Sequence, residues 1–392
     1  MKTLFIILLV MLSILSNAQN TDNQSTSTTL GESLLQGEEH LKIGGYGHVD
    51  YNQTISTETI NNGKLDVHRL VILMGYQFNK KTGIVTEIEF EHVQEVFVEQ
   101  AYLNHKLTKL ISLRAGLLLV PMGIMNEYHE PVLYHGVERP LLENNLNPTT
   151  WREIGLGIAG RSDNLSLKYQ LYMMNGVLSY KTAGLLNASG FRGGRQKGAE
   201  SIQSSPNFTG RVEFYGLPGL KIGASGWYGK TQSSLYQGIS KDDELALATA
   251  DSSVVGMSML GLDCQYQKKG IELKAQYYLT GFGNTLAYNT FTGANLAKLM
   301  QGFYAEAAYN LLKNHSSGNK LVPFIRYSAF NTQAAMETGF VADLSKKYQI
   351  LTVGIGWYPA KGAVIKADYE WVKTASGAQG SHQINLGIGF MF

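Results

Sequence analysis

Residues 384–392 read INLGIGFMF, and the sequence stops on Phe392. Ile384, Leu386, Ile388, Phe390 and Phe392 occupy every second position, so an extended strand would place all five on one face. Chain ends that nothing holds down tend to be loose and polar. An apolar strand running to its last residue implies a segment that is paired along its whole length.

The same period of two pervades the chain from Lys42 onward. In GIVTEIEFEH, Ile84, Thr86, Ile88 and Phe90 share one face, and Glu87, Glu89 and Glu91 share the other. NLSLKYQLYMMN sets Leu165, Leu167, Tyr169, Leu171 and Met173 against Ser166, Lys168 and Gln170. AVIKADYEW sets Ile365, Ala367, Tyr369 and Trp371 against Lys366, Asp368 and Glu370. Such strands suit either a soluble sandwich or a barrel that shows its apolar face to lipid and its polar face to a wet lumen.

Three features select the membrane barrel. Many segments run to about ten residues, the length a tilted strand needs to cross a bilayer, whereas soluble strands average about five or six. Short connections such as NKKTG, RSDN, GLPG and PAKG alternate with longer ones at 120–150, 177–205, 231–253, 282–299 and 332–346, the asymmetry of outer-membrane barrels. Aromatics recur near segment ends, as in Trp227-Tyr228, Tyr277-Tyr278, Trp357-Tyr358 and Trp371, which suits interfacial girdles. The expected fold is therefore an all-β transmembrane antiparallel barrel. A count of segments gives roughly sixteen strands, with 42–79 and 231–260 ambiguous, an even number as bacterial barrels require.

The start of the chain agrees. MKTLFIILLVMLSILSNAQ combines Lys2, an apolar run from Leu4 to Leu15 and the small residues Ser16 and Ala18. It reads as a signal peptide over 1–18. Residues 19–41 read as a flexible periplasmic leader with room for a short helix, and 42–392 as the barrel. No later apolar run is long enough for a spanning helix. Cys264 is the only cysteine, so no internal disulfide forms. A formal net charge of +2 gives no electrostatic case for nucleic acid.

One stretch departs from the pattern. VPMGIMNEYHEPVLYHGVERPLLENNLNPTTWRE, residues 120–153, follows the fifth segment and carries four prolines, two histidines and clustered charge. It is too long for a hairpin loop and should fold compactly. Its PMGIMNE start, GVERP centre and PTTWREIG return resemble the phosphate-selective porin O/P-like family, Bacteroidetes type, and the layout of the chain resembles that family throughout. The resemblance implies a porin barrel, often trimeric, with residues 120–150 as a constriction loop inside the lumen. It implies constriction roles for Glu127, His129, Glu130, Glu138, Arg139, Arg152 and Glu153. The apolar last strand resembles the signal read by the outer-membrane barrel-assembly machinery.

Strand parity points Arg114, Lys168, Arg211, Lys221, Lys274, Arg326 and Lys366 into the lumen. A comparable set of acids, slightly larger, faces the same way, including Glu87, Glu89, Glu91, Asp263, Glu306 and Asp368. A mixed wall suits a general porin better than an anion filter, although the resemblance points towards anions such as phosphate. The loop histidines His129 and His135 with Glu127, Glu130 and Glu138 match no standard metal spacing. GLGIAG at 155–160 has the spacing of a dinucleotide fingerprint but no following helix, so it reads as strand. No catalytic residue, metal or cofactor is expected. The expected function is passive diffusion of small hydrophilic solutes through an outer-membrane porin, with the lipid bilayer as surroundings. The alternative is a barrel enzyme of lipase or protease type.

Overall fold

The computed structural model describes residues 28–56, 59–315, 318–377 and 380–392. The expected signal peptide lies outside them. In chain order the strands are β1 (Leu41–Ile55), β2 (Lys64–Gln77), β3 (Thr82–Glu91), β4 (Glu95–Lys106), β5 (Ile111–Leu119), β6 (Arg152–Ser162), β7 (Leu167–Met174), β8 (Leu178–Tyr180), β9 (Asn207–Leu217), β10 (Leu220–Lys230), β11 (Gln232–Ser233), β12 (Gly256–Lys268), β13 (Ile271–Gly283), β14 (Leu299–Tyr309), β15 (Lys320–Ala335), β16 (Lys347–Ala360), β17 (Ala363–Thr374) and β18 (Ser381–Met391). All but the short β8 and β11 form one closed barrel of sixteen strands, each hydrogen-bonded to its neighbours. Wall strands run from 8 residues in β7 to 16 in β15. The GLGIAG stretch lies within β6.

Closure joins β1 to β18, in register from Tyr46 opposite Met391 to Ile55 opposite His382. Phe392 continues that ladder: its N–H donates to Gly45 O at 2.9 Å, and Gly45 N–H donates to Phe392 O at 3.0 Å. Ile384, Leu386, Ile388, Phe390 and Phe392 all lie exposed on the outer face. A closed ladder leaves no open edge and pairs every wall strand on both sides, which a hydrocarbon environment demands.

The short connections expected from sequence gather at one end of the barrel and the long loops at the other. The β3–β4 turn, residues 92–94, is brief although it lies at the long-loop end, as is the β17–β18 connection, and His92 and Val93 in the former have positive φ. The aromatic pairs divide by parity rather than forming a girdle together. Tyr228, Trp357 and Trp371 are exposed outside, while Trp227 and Tyr278 are buried inside.

Residues 120–151 fold into the lumen. Asn126 clasps the neck of this loop: its side-chain amide donates to Val120 O and Trp151 O, and its Oδ1 accepts from Trp151 N–H. From there the loop is bonded to strands around the wall. Gly123 N–H reaches Ser225 of β10, Ile124 N–H reaches Gln276 of β13, and Lys366 of β17 donates to Tyr134 O and Gly136 O. Gly123 has φ +67, and a Cβ there would sit 1.7 Å from Tyr278 Oη, so only glycine fits. Leu142, Leu146 and Trp151 from this loop pack with Phe191, Trp227, Tyr278, Tyr288 and Met300 into a dry core inside the barrel. The Trp151 and Trp227 rings are 4.5 Å apart. This core fills one side of the lumen and leaves space on the side of β2, β3 and β4.

Part of the expected leader lies within the described residues, and it holds the short helix for which the sequence left room. Residues Leu30–Leu34 form a helix with a complete capping box between Thr29 and Glu32. The helix enters the short-turn end of the barrel, where Leu34 packs with Tyr46, Val71 and Leu73. The apolar pair Leu34-Leu35 drives this docking, because the wall presents an apolar patch at that level instead of a wet surface.

Candidate functional site

The open part of the lumen is a cavity of about 400 Å³ near the long-loop end. Its lining brings together Arg69, Arg139, Arg152, Arg192, Arg195 and Lys197, with Glu89, Glu91, Glu138 and Glu370. Arg69 is matched by Glu89 at 3.1 Å, and Arg152 by Glu99 at 3.3 Å. Arg139 keeps Nη1, and Arg152 keeps Nε, buried without a hydrogen-bond partner among the described residues. Among the described residues Arg195 donates only to backbone carbonyls, those of Arg192 and Thr149, and Lys197 lies over the Phe97 ring at 5.1 Å.

Burial and mutual repulsion act on these cations together. Arg139 is pulled below its usual range by burial and then by Arg69, Arg192 by burial and then by Arg139. Lys197 is lowered by burial and by Arg195, Arg152 and Arg192. The cations therefore crowd one another, and a mobile anion would relieve the excess charge.

The sequence-predicted residues fall into distinct places. Glu138, Arg139 and Arg152 line the cavity. Glu127 accepts from Gln170 at 2.7 Å, nearer the short-turn end, in a gap of only about 10 Å³ beside Tyr128, Lys168 and Arg211. Glu130 is buried with Oε2 unpartnered among the described residues, and burial raises its pKa to about 7 despite the charge of His129. Glu153 is not in the lining. It accepts from Trp151 Nε1 at 3.2 Å and from Asn175 at 2.6 Å, as an anchor under the 192–197 segment.

His129 meets three strands at once. Its Nε2 lies 2.9 Å from Tyr46 Oη, 3.3 Å from Glu99 and 3.8 Å from Glu87. Burial alone would lower its pKa, but hydrogen bonding to Glu87 and Glu99 prevails and raises it to about 10. His135 lies between Glu272 at 3.2 Å and Glu306 at 2.8 Å.

None of the seven wall cations predicted from parity is in the cavity lining. Arg114 and Lys168 hold Glu32 of the N-terminal helix at 2.8 and 2.9 Å. Arg211 pairs with Asp263 at 2.6 Å and Arg326 with Glu306 at 3.3 Å. Lys274 and Lys366 cap loop carbonyls, and Lys221 stands half-buried on β10. The residues missed are Arg192, Arg195 and Lys197, from FRGGRQKG in the loop between β7 and β9. Three cations in six residues of a glycine-rich outer loop were a visible signal, although nothing local says that the loop turns inward.

A closed sixteen-strand wall, an infolded loop after the fifth strand and a polar cavity together define a porin-like β-barrel fold. Solved structures agree on the fold. The anion-selective porin of Comamonas acidovorans superposes with TM-score 0.59 at 10% identity, over 90% of this chain and 99% of that one. Salmonella typhi OmpF in complex with daunomycin gives 0.59 at 16%, over 90% and 97%. The outer-membrane channel DcaP of Acinetobacter baumannii gives 0.60 at 12%, over 90% and 97%. No family model matches the sequence. An uncharacterized protein of Aquifex aeolicus (strain VF5) is 31% identical over 347 residues, spanning 86% of this chain and 76% of that protein. The chain belongs to the same family as that Aquifex protein.

Proposed function

We propose that this protein is an outer-membrane porin that passes small hydrophilic solutes by diffusion and prefers anions. The observation that carries the preference is the cation-rich cavity, where Arg139, Arg192, Arg195 and Lys197 lack carboxylate partners among the described residues. A low-dielectric wall around a charged passage strengthens the field on a passing ion. Guanidinium groups also match oxyanions such as phosphate in geometry, which supports the finer reading of the substrate class. Residues 120–150 are the constriction in this reading, because they narrow the lumen opposite Arg69 and Glu89. The enzyme alternative gains nothing from His129 and His135, each of which is held between carboxylates.

Planar-bilayer recordings under a potassium chloride gradient test this reading. The reversal potential should show chloride more permeant than potassium. A cation-preferring pore would overturn it. Lys197 already sits below the ordinary lysine value of 10.5. A cation with a lowered pKa loses its charge earlier as pH rises, so the chloride preference should weaken on the alkaline side before the ordinary lysine range is reached. A preference that holds constant through that range would remove Lys197 from the filter.

Outer-membrane location, a homotrimer and delivery by the barrel-assembly machinery belong to the same reading. The exposed apolar outer face and the resemblance to porins support them. Phe392→Asp should sharply lower the amount of assembled barrel while leaving the heat resistance of the assembled fraction nearly intact, since charge near a bilayer interface costs only about 0–1 kcal/mol. Comparing boiled and unboiled gel migration of membrane fractions checks this, and wild-type levels of the variant would count against it.

A further inference from the structure

We propose that Glu87, Glu99, His129 and Tyr46 form a binding site for a zinc-class divalent cation that staples the infolded loop to the barrel wall. Three strands and the loop supply one group each: Tyr46 from β1, Glu87 from β3, Glu99 from β4 and His129 from the loop. All four side chains are buried to within 3% of full enclosure.

Five separations among the four ligand atoms suit a small tetrahedron, and the Glu87, Glu99 and His129 atoms all lie within 4.8 Å of one another. Tyr46 Oη lies 3.0 Å from Glu87 Oε1, 3.4 Å from Glu99 Oε2 and 2.9 Å from His129 Nε2. His129 Nε2 lies 3.3 Å from Glu99 Oε2 and 3.8 Å from Glu87 Oε1. Four ligands at zinc bond lengths of about 2.0–2.1 Å stand roughly 3.3 Å apart. One ion could therefore reach all four atoms with shifts of a few tenths of an ångström.

The outer contacts are already in place. His129 Nδ1 is 3.0 Å from Asn126 O, which keeps that nitrogen protonated and leaves Nε2 as the ligand. The second oxygen of Glu99 accepts from Arg152 at 3.3 Å, and that of Glu87 accepts from Gln100. Metal ligands are oriented by such partners. Two carboxylates balance a divalent charge, and imidazole with oxygen ligands suits zinc.

Glu99 reaches the site through a backbone irregularity. The β3–β4 register shifts after Glu87, which pairs with Gln100 while Ile88 pairs with Val98. Glu99 is thus the extra residue of a bulge, and Gln100 beside it also faces the lumen. Bulges re-aim side chains in this way and gather near functional sites. The site lies next to the open cavity, because Arg152 touches Glu99 and lines that cavity.

The test uses the full-length barrel, chelated, desalted and then titrated with zinc or cobalt. Wild type should take up one zinc per chain at this site and give the strong visible absorption of four-coordinate cobalt. Glu87→Gln/Glu99→Gln should lose both while still migrating as a folded barrel. A His68→Ala variant controls for the separate cluster of His48, Asp50 and His68, and should keep both. Absence of the cobalt absorption in wild type would overturn the proposal and leave a proton, not a metal, between these groups. So would its loss in His68→Ala or its survival in the double variant.

Discussion

Reversing Arg192, Arg195 and Lys197 to glutamate should invert the ion preference of the channel. By Coulomb's law a unit charge about 8 Å from an ion in water is worth about 0.5 kcal/mol. Exchanging three positive for three negative charges therefore changes the energy of a passing anion by about 3 kcal/mol before screening. A tenfold change in relative permeability needs only about 1.4 kcal/mol. Chloride preference should give way to potassium preference in bi-ionic recordings at low salt. Raising the salt should compress the difference, since the screening length falls from about 30 Å at 0.01 M to about 3 Å at 1 M. These side chains sit on a loop rather than in the wall, so the barrel itself should assemble as before. If the triple variant remains anion-preferring at low salt, the selectivity lies elsewhere, with Arg69, Arg139 and Arg152 the next group to examine.

Glu32→Gln should open the short-turn end. Glu32 carries the charge that binds the N-terminal helix to Arg114 and Lys168. Removing one partner of a buried ion pair costs about 3–5 kcal/mol, because the remaining charges stay enclosed. Here two cations would be left, which outweighs the few apolar contacts of a five-residue helix. The helix should undock, conductance should rise, and a cysteine placed at Gly31 in that background should become accessible to a water-soluble thiol reagent. Unchanged conductance with Gly31 still protected would show that apolar packing of Leu34 and Leu35 suffices. The pH dependence has a definite sign. Burial would raise the pKa of Glu32, but Lys168 and Arg114 outweigh it and hold it far below the ordinary 4.5. A depressed carboxylate contributes stability above its unfolded pKa and loses it only as pH falls towards the folded one. Docking should thus persist through the ordinary glutamate range and fail only in stronger acid.

Much of the wall was legible because it depends on neighbours in sequence. A strand shows alternate residues to opposite faces, so Glu87, Glu89 and Glu91 declared one side of β3 and Ile84, Ile88 and Phe90 the other. Turn length fixed which end of each hairpin was which, and the parity of INLGIGFMF fixed the outward face of β18. The departure of 120–153 from that pattern marked it as an insert with its own packing.

Tertiary structure decided what fills the wall. Parity aimed Arg114, Lys168, Arg211 and Arg326 inward, but it could not show that Glu32, Asp263 and Glu306 would pair with them. The cavity charge without carboxylate partners comes instead from two loops that meet only after the barrel closes, bringing Arg139 beside Arg192. The bulge that turns Glu99 towards His129 is one extra residue in a register, and no local pattern records it. The physical reason is common to all three. Alternation acts over two residues of chain and needs only the contrast between lipid and water. Charge pairing, loop packing and metal geometry act across tens of residues of chain and exist only once the barrel has set the distances.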